Sequence, residues 1–327
     1  MKLFKIALLL AGFFLLYLTL RAVGIESAVS QISKIGWKFL PVLAVYPFIY
    51  AFKAWGWQFA FPKKFPKQVP FWDFFRVRLI GETFNCLIPW AASLGGEPVK
   101  IQFLKKKHGI RRSEGAASIL IVHTTLWFSL NAFVIGGLWV TRGHMPLTPV
   151  LKSAVIIFLI SIGVAAFLLV SGFHWGIFKN THRLFQKILK RESVSEKMSH
   201  YAHLDEEIKR FFTSNPKRFF ISSFFNFAAW FAGIFETYFL ARMLGMDVSF
   251  AQAWLLEALI QALRIVTFFI PSSIGAQEGG IVFIFSELGF ATAPGLALAV
   301  LRRLREVLWV AAGLVLWAFS SDKSKES

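Results

Sequence analysis

Two short stretches constrain the fold of this chain more strongly than the rest of its sequence. They are IPWAASLGGEPVK, from Ile88 to Lys100, and IPSSIGAQEGG, from Ile270 to Gly280, each within an otherwise apolar region. Proline and glycine interrupt helices, and interrupted backbone is tolerated at membrane depth only where it is buried in protein or lines a cavity. Many transporters build their substrate sites from such broken helices. The pattern predicts a transporter-like membrane protein with a polar interior.

The composition supports a membrane location and argues against soluble classes of protein. Of the 327 residues, 56% are hydrophobic, including 38 Phe and 12 Trp, whereas each helix of a soluble domain needs a polar face. The formal net charge of +18 could indicate nucleic-acid binding. The Lys and Arg residues cluster between apolar segments, however, where cytoplasmic loops and anionic headgroups account for them, so we predict no nucleic-acid partner. The single cysteine, Cys86, excludes an internal disulfide.

Apolar lengths near the ~20 residues needed to cross a bilayer predict about six spanning helices. They cover residues 3–21, 36–60, 115–140, 150–172, 218–241 and 293–318. The first also resembles a secretory signal, and we expect it to be retained because cleavage would unbalance the topology. Residues 71–104 and 251–290 are interrupted near their middles, which predicts two re-entrant helical hairpins. The predicted fold is an all-α polytopic membrane protein with a single membrane domain, 1–327.

Loop charges orient these segments, because Lys and Arg gather on the cytoplasmic side of membrane proteins. The basic runs at 63–67, 100–112 and 179–218 all fall on one side of the predicted arrangement. This predicts a multi-pass protein of the cell (inner) membrane with both termini in the cytoplasm and two hairpins of opposite orientation. The connector 174–217 is predicted to be basic and cytoplasmic, either as an amphipathic helix on anionic lipid or as a solvated linker.

Polar residues recur at helical spacing before each interruption. The first stripe contains Arg78, Glu82 and Asn85, at positions i, i+4 and i+7. The second contains Glu257, Gln261 and Arg264, with the same spacing and the charges in reversed order. Together with the opposite entry sides, this similarity predicts an inverted repeat whose broken helices meet near the bilayer midplane.

Each stripe is followed by a predicted unwound tip and then a carboxylate. The tips are Ser93-Leu94-Gly95 and Ser273-Ile274-Gly275, and the carboxylates are Glu97 and Glu278. Glycine permits tight unwinding, and the next helix presents N–H groups that bind anions. The carboxylates are predicted either to bind or gate a headgroup or to cap the helix that follows.

The last predicted span contains four charged residues close to its middle, Arg302, Arg303, Arg305 and Glu306. An ionised side chain at that depth costs roughly 2.5–3.5 kcal/mol on insertion scales unless it is paired or hydrated. We expect Arg302, Arg305 and Glu306 to share a face and to pair with Glu278, Glu257 or Glu97, while Arg303 points elsewhere. The charges either mark a ligand pathway or only hold helices together.

The sequence predicts no metal site and no cofactor. His123 and Asn131 lie in a long apolar span without neighbouring ligand spacing, and we expect them to form hydrogen bonds between helices. The chain also lacks a phosphate-binding nucleotide loop, which argues against ATP-driven transport by this chain.

The two interrupted segments together resemble those of a known family, the flippase-like proteins named after the transmembrane region of lysylphosphatidylglycerol synthase. The matching residues are Asn85, Pro89, Gly96-Glu97 and Lys100 in the first segment and Pro271, Gly275, Glu278-Gly279 and Arg302/Arg303 in the second. The part from Glu257 to Glu306 is similar to the branch associated with hopanoid biosynthesis. Lys100 stands where the family frequently has an arginine. It keeps the positive charge but lacks the planar guanidinium group that binds a phosphate through two hydrogen bonds.

The resemblance implies a protein that moves or handles lipids between leaflets and binds membrane lipids, such as an anionic phospholipid or a hopanoid. Two-domain relatives attach an aminoacyl-transferase domain after the membrane region, whereas this chain ends at Ser327. We therefore expect no aminoacylation, and predict a lipid translocase or lipid-binding transporter that is not an enzyme. The predicted substrate-binding or gating residues are Asn85, Pro89, Gly96, Glu97, Lys100, Glu257, Gln261, Arg264, Pro271, Gly275, Glu278, Arg302, Arg303 and Arg305.

Two alternatives stay open at this point. Paired carboxylates beside arginine could make the protein a membrane-embedded lipid-headgroup transferase. It could instead be an accessory subunit of a lipid (hopanoid) biosynthesis system that organises biosynthetic enzymes through its basic connector.

Overall fold

The computed structural model describes residues 35–61, 69–88, 95–143, 147–175, 207–267, 273 and 275–320. Within these ranges the secondary structure is entirely helical, as predicted. The α-helices are α1 Leu40–Phe59, α2 Phe71–Leu87, α3 Gly96–His108, α4 Arg112–Thr141, α5 Pro149–Trp175, α6 Pro216–Met243, α7 Phe250–Val266, α8 Ala276–Glu287 and α9 Thr292–Ser320. A 3-10 turn, Gly36–Phe39, precedes α1. The predicted span 3–21, Pro89, Pro271, most of both tips and most of the connector 174–217 lie outside the described residues.

Three helical segments among the described residues are long and apolar enough to cross a membrane. They are Gly36–Phe59, Arg112–Thr141 and Pro216–Met243, which agree with three of the predicted spans. A shorter apolar segment, Pro149–Ala165, lies in α5. Large apolar side chains such as Phe48, Phe224 and Ile157 are more than 60% exposed on these helices. An apolar outer surface of this kind marks a face that contacts lipid.

Two pairs of shorter helices occupy the segments that were predicted to be re-entrant. The first pair is α2 with α3, of 17 and 13 residues, and the second is α7 with α8, of 17 and 12 residues. The members of each pair pack against one another. At 1.5 Å per residue, the shorter members fall well below the ~30 Å hydrocarbon thickness. The structure gives the lengths and packing of these helices, and the re-entrant arrangement and the side from which each pair enters stay predictions.

The long helices hold the two short pairs around one interior. Helix α6 packs along α1 and α4, and α4 also contacts α3 and α7. Helix α9 packs against α2 of the first pair and against α8 of the second. It runs without interruption from Thr292 to Ser320 with charged residues at its centre. This helix covers the predicted span 293–318 but is not among the three described helices that are apolar enough to cross a membrane. Helix α9 is therefore the element that connects the two pairs.

Glycine permits the closest helix contact in the first pair. A Cβ atom added to Gly96 would lie 1.8 Å from the backbone oxygen of Gly81, so that α3 begins directly against α2. The contact is between backbones, and no flexible side chain can move to relieve it. The sequence predicted Gly96 as a site residue, and the structure shows that its position allows α2 and α3 to meet.

We expect Gly96→Ala to separate α2 from α3 and to lower the thermal stability of the detergent-solubilised protein. Overpacking a tight contact typically costs about 1–3 kcal/mol, and a backbone clash lies at the upper end of that range. The matched control is Gly163→Ala in α5, where an added Cβ meets nothing within 4 Å. Fluorescence-detected size exclusion after heating measures the effect. Equal melting temperatures for the two variants would contradict the contact.

Candidate functional site

A cavity of about 540 Å³ lies between the two helix pairs and the long helices. Its lining includes all of the first polar stripe, Arg78, Glu82 and Asn85, and all of the second, Glu257, Gln261 and Arg264. The remaining walls come from α1, α4, α6, α8 and α9. The structure thus brings the two predicted stripes together at one site. A concave space with convergent polar groups is the usual form of a ligand site.

The first stripe connects α2 to the start of α3. The Asn85 side-chain oxygen accepts a 2.7 Å hydrogen bond from the backbone N–H of Gly96 and so satisfies one of the unpaired N–H groups at the start of α3. Arg78 pairs with Glu82 at 3.1 Å across one turn of α2. In this arrangement Asn85 stabilises the broken helix, while Glu82, with 27% of its side chain exposed, faces the cavity.

Glu97 and Lys100 form an ion pair within α3. The Lys100 ammonium lies 2.7 Å from Glu97 Oε1, and the lysine side chain, 1% exposed, crosses the surface of Gly81. On the other side of Glu97, Nε2 of His123 lies 3.5 Å from the same oxygen. Among the described residues, none donates a hydrogen bond to Glu97 Oε2 or contacts His123 Nε2 within hydrogen-bond geometry. Nε2 of His123 therefore contacts Glu97 of a neighbouring helix without forming the expected hydrogen bond, and Asn131 Oδ1 has no hydrogen-bond partner among the described residues.

The centre of α9 is held by the fork of Arg302. Its two terminal nitrogens lie 2.8 and 3.1 Å from the oxygens of Glu257 in α7, as the sequence analysis expected for this pair. Thr237 donates to Glu257 Oε2 at 2.5 Å, and Gln261 donates to Oε1 at 2.6 Å. Arg302 and Glu257 are 3% and 1% exposed. Bidentate geometry and added hydrogen bonds are what a buried pair requires to offset its desolvation.

Glu236 of α6 belongs to the same network, and the sequence analysis did not identify it. It pairs with Arg305 and lies 3.5 Å from Nε of Arg302. Arg305 also stacks 4.1 Å above the ring of Tyr46. A carboxylate in the middle of an apolar helix was the available signal, because an ionisable residue in a membrane span needs a partner.

The prediction that Arg303 points away from the other charges is wrong. Its Nε lies 2.5 Å from Glu278, one terminal nitrogen lies 2.9 Å from Glu306, and the other donates to the backbone oxygen of Ser273 at 3.0 Å. The turn before α8 covers this side of α9, so a guanidinium on a neighbouring face still reaches a carboxylate. Besides binding Arg303, Glu278 caps the start of α8, because its second oxygen accepts a 2.7 Å hydrogen bond from the N–H of Gly275.

The pairing of the predicted residues is therefore specific. Arg302 pairs with Glu257, Arg303 with Glu278, and Arg305 with Glu236, while Glu97 pairs with Lys100 rather than with an arginine of α9. Gly275 adopts φ +77°, a left-handed conformation that favours glycine at the turn into α8. Of the charged residues in the second stripe, Arg264 is the more accessible, with 42% of its side chain exposed and one 3.4 Å contact to Glu306.

The described residues contain no group of three or more His, Cys, Asp or Glu side chains placed to hold a metal ion. The chemistry that the site offers is electrostatic: carboxylates, guanidinium groups and an ammonium surround a space that also has aromatic walls. Tyr46, Tyr50 and Trp309 form one such wall, with ring centroids 5.6 to 5.9 Å apart. The site is suited to binding a polar group that carries an apolar part.

Comparisons with known proteins agree with this architecture. The sequence model of the lysylphosphatidylglycerol synthase TM region matches residues 3–313. The UPF0104 membrane protein PH1989 of Pyrococcus horikoshii is 24% identical over 316 residues, which cover 92% of each chain. No solved structure matches the chain. Because the family model covers nearly the whole sequence, this protein is a membrane protein that belongs to the lysylphosphatidylglycerol synthase TM region family.

Proposed function

We propose that the protein is a flippase-like lipid translocase or lipid-binding transporter. Its cavity takes the headgroup of an amphiphile while the acyl chains stay in the bilayer. The observation that carries the proposal is that both polar stripes of the interrupted segments line one cavity of about 540 Å³ inside an apolar helical protein. Transporters place their substrate sites between such paired, discontinuous helices.

The charged residues around the cavity divide into two groups, those that hold helices together and those that can contact a ligand. Arg302, Arg303 and Arg305 are each 3% exposed and each bonded to a carboxylate from another helix. Their donors are directed to the protein, so we assign them to holding α9 against α6, α7 and α8. Arg264 and Glu82 expose a larger part of their side chains to the cavity and make fewer contacts. We assign these two residues to contact with the ligand.

Membrane lipids are the ligand class that this architecture and the family favour. The family takes its name from the membrane region of a lipid synthase. In our proposal the chain lies in the cell (inner) membrane with both termini in the cytoplasm, binds lipid and performs no reaction on it. The hopanoid-associated branch is one candidate source of the amphiphile. The prediction that Glu97 binds or gates a headgroup stays part of the proposal, because Lys100 uses only one of its oxygens and Oε2 has no hydrogen-bond partner among the described residues. We do not extend it to Glu278, whose two oxygens are bonded to Arg303 and to the start of α8.

The proposal predicts protein-dependent lipid movement in proteoliposomes made from the host's own lipids. Arg264→Gln should reduce the transfer of headgroup-labelled lipid about tenfold, the effect expected when one charge-assisted contact to a ligand is lost. Folding should be little affected, since Arg264 makes a single long contact. The matched control is Arg242→Gln. Arg242 lies at the end of α6, is half-exposed and pairs with Asp247, so the variant removes the same charge away from the cavity.

Flux equal to that of empty vesicles in wild type would contradict transport. A chemically altered lipid in the same assay would favour the headgroup transferase instead. Co-purification of lipid-biosynthesis enzymes without flux would favour the accessory subunit.

The proposal also predicts that Glu257 stabilises the fold. Glu257→Gln removes the bidentate carboxylate of Arg302 and leaves it only the 3.5 Å contact with Glu236, which Arg305 shares. Breaking a buried pair typically costs about 3–5 kcal/mol. We expect a lower melting temperature and a reduced folded yield in detergent. Glu207→Gln is the control, because Glu207 pairs with Arg111 near the protein surface, where ion pairs contribute little. A variant at Glu257 as stable as the control would show that the pair does not hold α9.

A further inference from the structure

Lys53 in the middle of α1 is a cation without a carboxylate partner in the described part of the chain. It lines the cavity, and its ammonium lies 5.2 Å from the ring centroid of Trp230. The indole of Trp230 is fixed in turn, because its N–H donates to Ser129 at 3.1 Å. A cation over an aromatic face is attracted to it but is not neutralised. The side chain is therefore held in place with its charge directed to the cavity.

The charges around the cavity confirm that Lys53 is in surplus. With His123 taken as neutral, seven cations accompany six carboxylates among the described residues that line the cavity or are linked to its lining by one or two ion pairs. The cations are Lys53, Arg78, Lys100, Arg264, Arg302, Arg303 and Arg305, and the carboxylates are Glu82, Glu97, Glu236, Glu257, Glu278 and Glu306. The six carboxylates pair with the other cations. A single negative charge on a ligand would balance the site.

Arg264 adds a planar guanidinium group to the single ammonium charge of Lys53. Its side chain is 42% exposed and makes one 3.4 Å contact with Glu306, while Glu306 also binds Arg303 at 2.9 Å. Most donors of the Arg264 fork thus remain available to a ligand. A planar guanidinium binds two oxygens of a phosphate at once, whereas an ammonium acts as a point charge. Together the two residues offer complementary contacts to one phosphate.

We propose that Lys53 and Arg264 form an anion-binding subsite in the cavity, and that it takes the phosphate of an anionic lipid headgroup. The inference rests on the proposed function and specifies its substrate class. A cationic headgroup fits less well, because Glu97 and Glu278 already lie 2.7 and 2.5 Å from Lys100 and Arg303.

The aromatic wall supports a lipid source for the phosphate. Tyr46 and Trp309 are stacked at 5.9 Å and present apolar surface beside the charged groups. The indole N–H of Trp309 is buried and finds no acceptor among the described residues, so the rings and not this N–H supply the contact surface of the wall. Inorganic phosphate would use the cations but would leave this wall without a contact.

The test measures ligand binding by the full chain in neutral detergent, as a shift in melting temperature during titration. The probes are dioctanoyl phosphatidylglycerol, dioctanoylglycerol, which has the same acyl chains and no phosphate, and inorganic phosphate. Wild type should bind the anionic lipid more tightly than the neutral one, and Lys53→Gln should weaken binding of the anionic lipid about tenfold while leaving binding of the neutral lipid unchanged. Lys53→Arg should keep most of the preference. Lys38→Gln, at an exposed position before α1, is the matched control and should bind as wild type does.

Equal affinity of wild type for the two lipids, or an unchanged affinity of Lys53→Gln for the anionic lipid, would overturn the subsite. Competition by inorganic phosphate at the concentration of the lipid would assign the site to a free anion and overturn the lipid assignment. The result is separate from the flux assay. Charge-selective binding without flux would contradict the proposed transport and support the subsite. Flux without charge selectivity would support the transport and contradict the subsite.

Discussion

The buried ion pairs of α9 are the interaction on which the rest of the structure depends. Arg302, Arg303 and Arg305 lie at the centre of a 29-residue helix, and each binds a carboxylate from another helix. In hydrocarbon these charges cannot be solvated, so their partners determine where α9 can lie. The pairs to α6, α7 and α8 therefore place the second helix pair, while Gly313 of α9 packs closely against Thr83 and so places the first. Helix α9 thus packs against both helix pairs and keeps them on opposite sides of the cavity.

The same pairs explain how a site with many charges could still be selective. Most cations around the cavity are bonded to a carboxylate of the protein and have few donors available to a ligand. Lys53 and Arg264 differ from them, the first by lacking a carboxylate partner in the described chain and the second by its exposure and single long contact. Ligand recognition in our account depends on these two exceptions. It follows that most of the charges around the cavity can belong to the framework, with few assigned to binding.

Sequence reasoning predicted much of the architecture because apolar length and helical spacing are local properties. The spans 36–60, 115–140 and 218–241 and the convergence of the two polar stripes all follow from such patterns. Partners of individual charges are set by tertiary packing, and here the predictions were less complete. Glu236 was missed because a lone carboxylate in a Phe-rich helix does not reveal its partner. Arg303 was misplaced because helical position alone ignores the reach of its side chain and the turn that covers it. Lys53 was missed since a single lysine in an apolar span resembles an isolated polar residue.

A lipid site requires access of water and headgroups to the cavity between the two helix pairs. We would measure it by the reaction of single cysteines with a charged, membrane-impermeant thiol reagent in a Cys86→Ala background. Ile265→Cys, which lines the cavity, is compared with Leu298→Cys, whose native side chain is 0% exposed in the apolar core. We expect rapid modification at position 265, slowed by anionic lipid, and little at position 298. Equally slow modification at the two positions in the folded protein, with full reaction after denaturation, would show a closed interior and contradict the proposed lipid site.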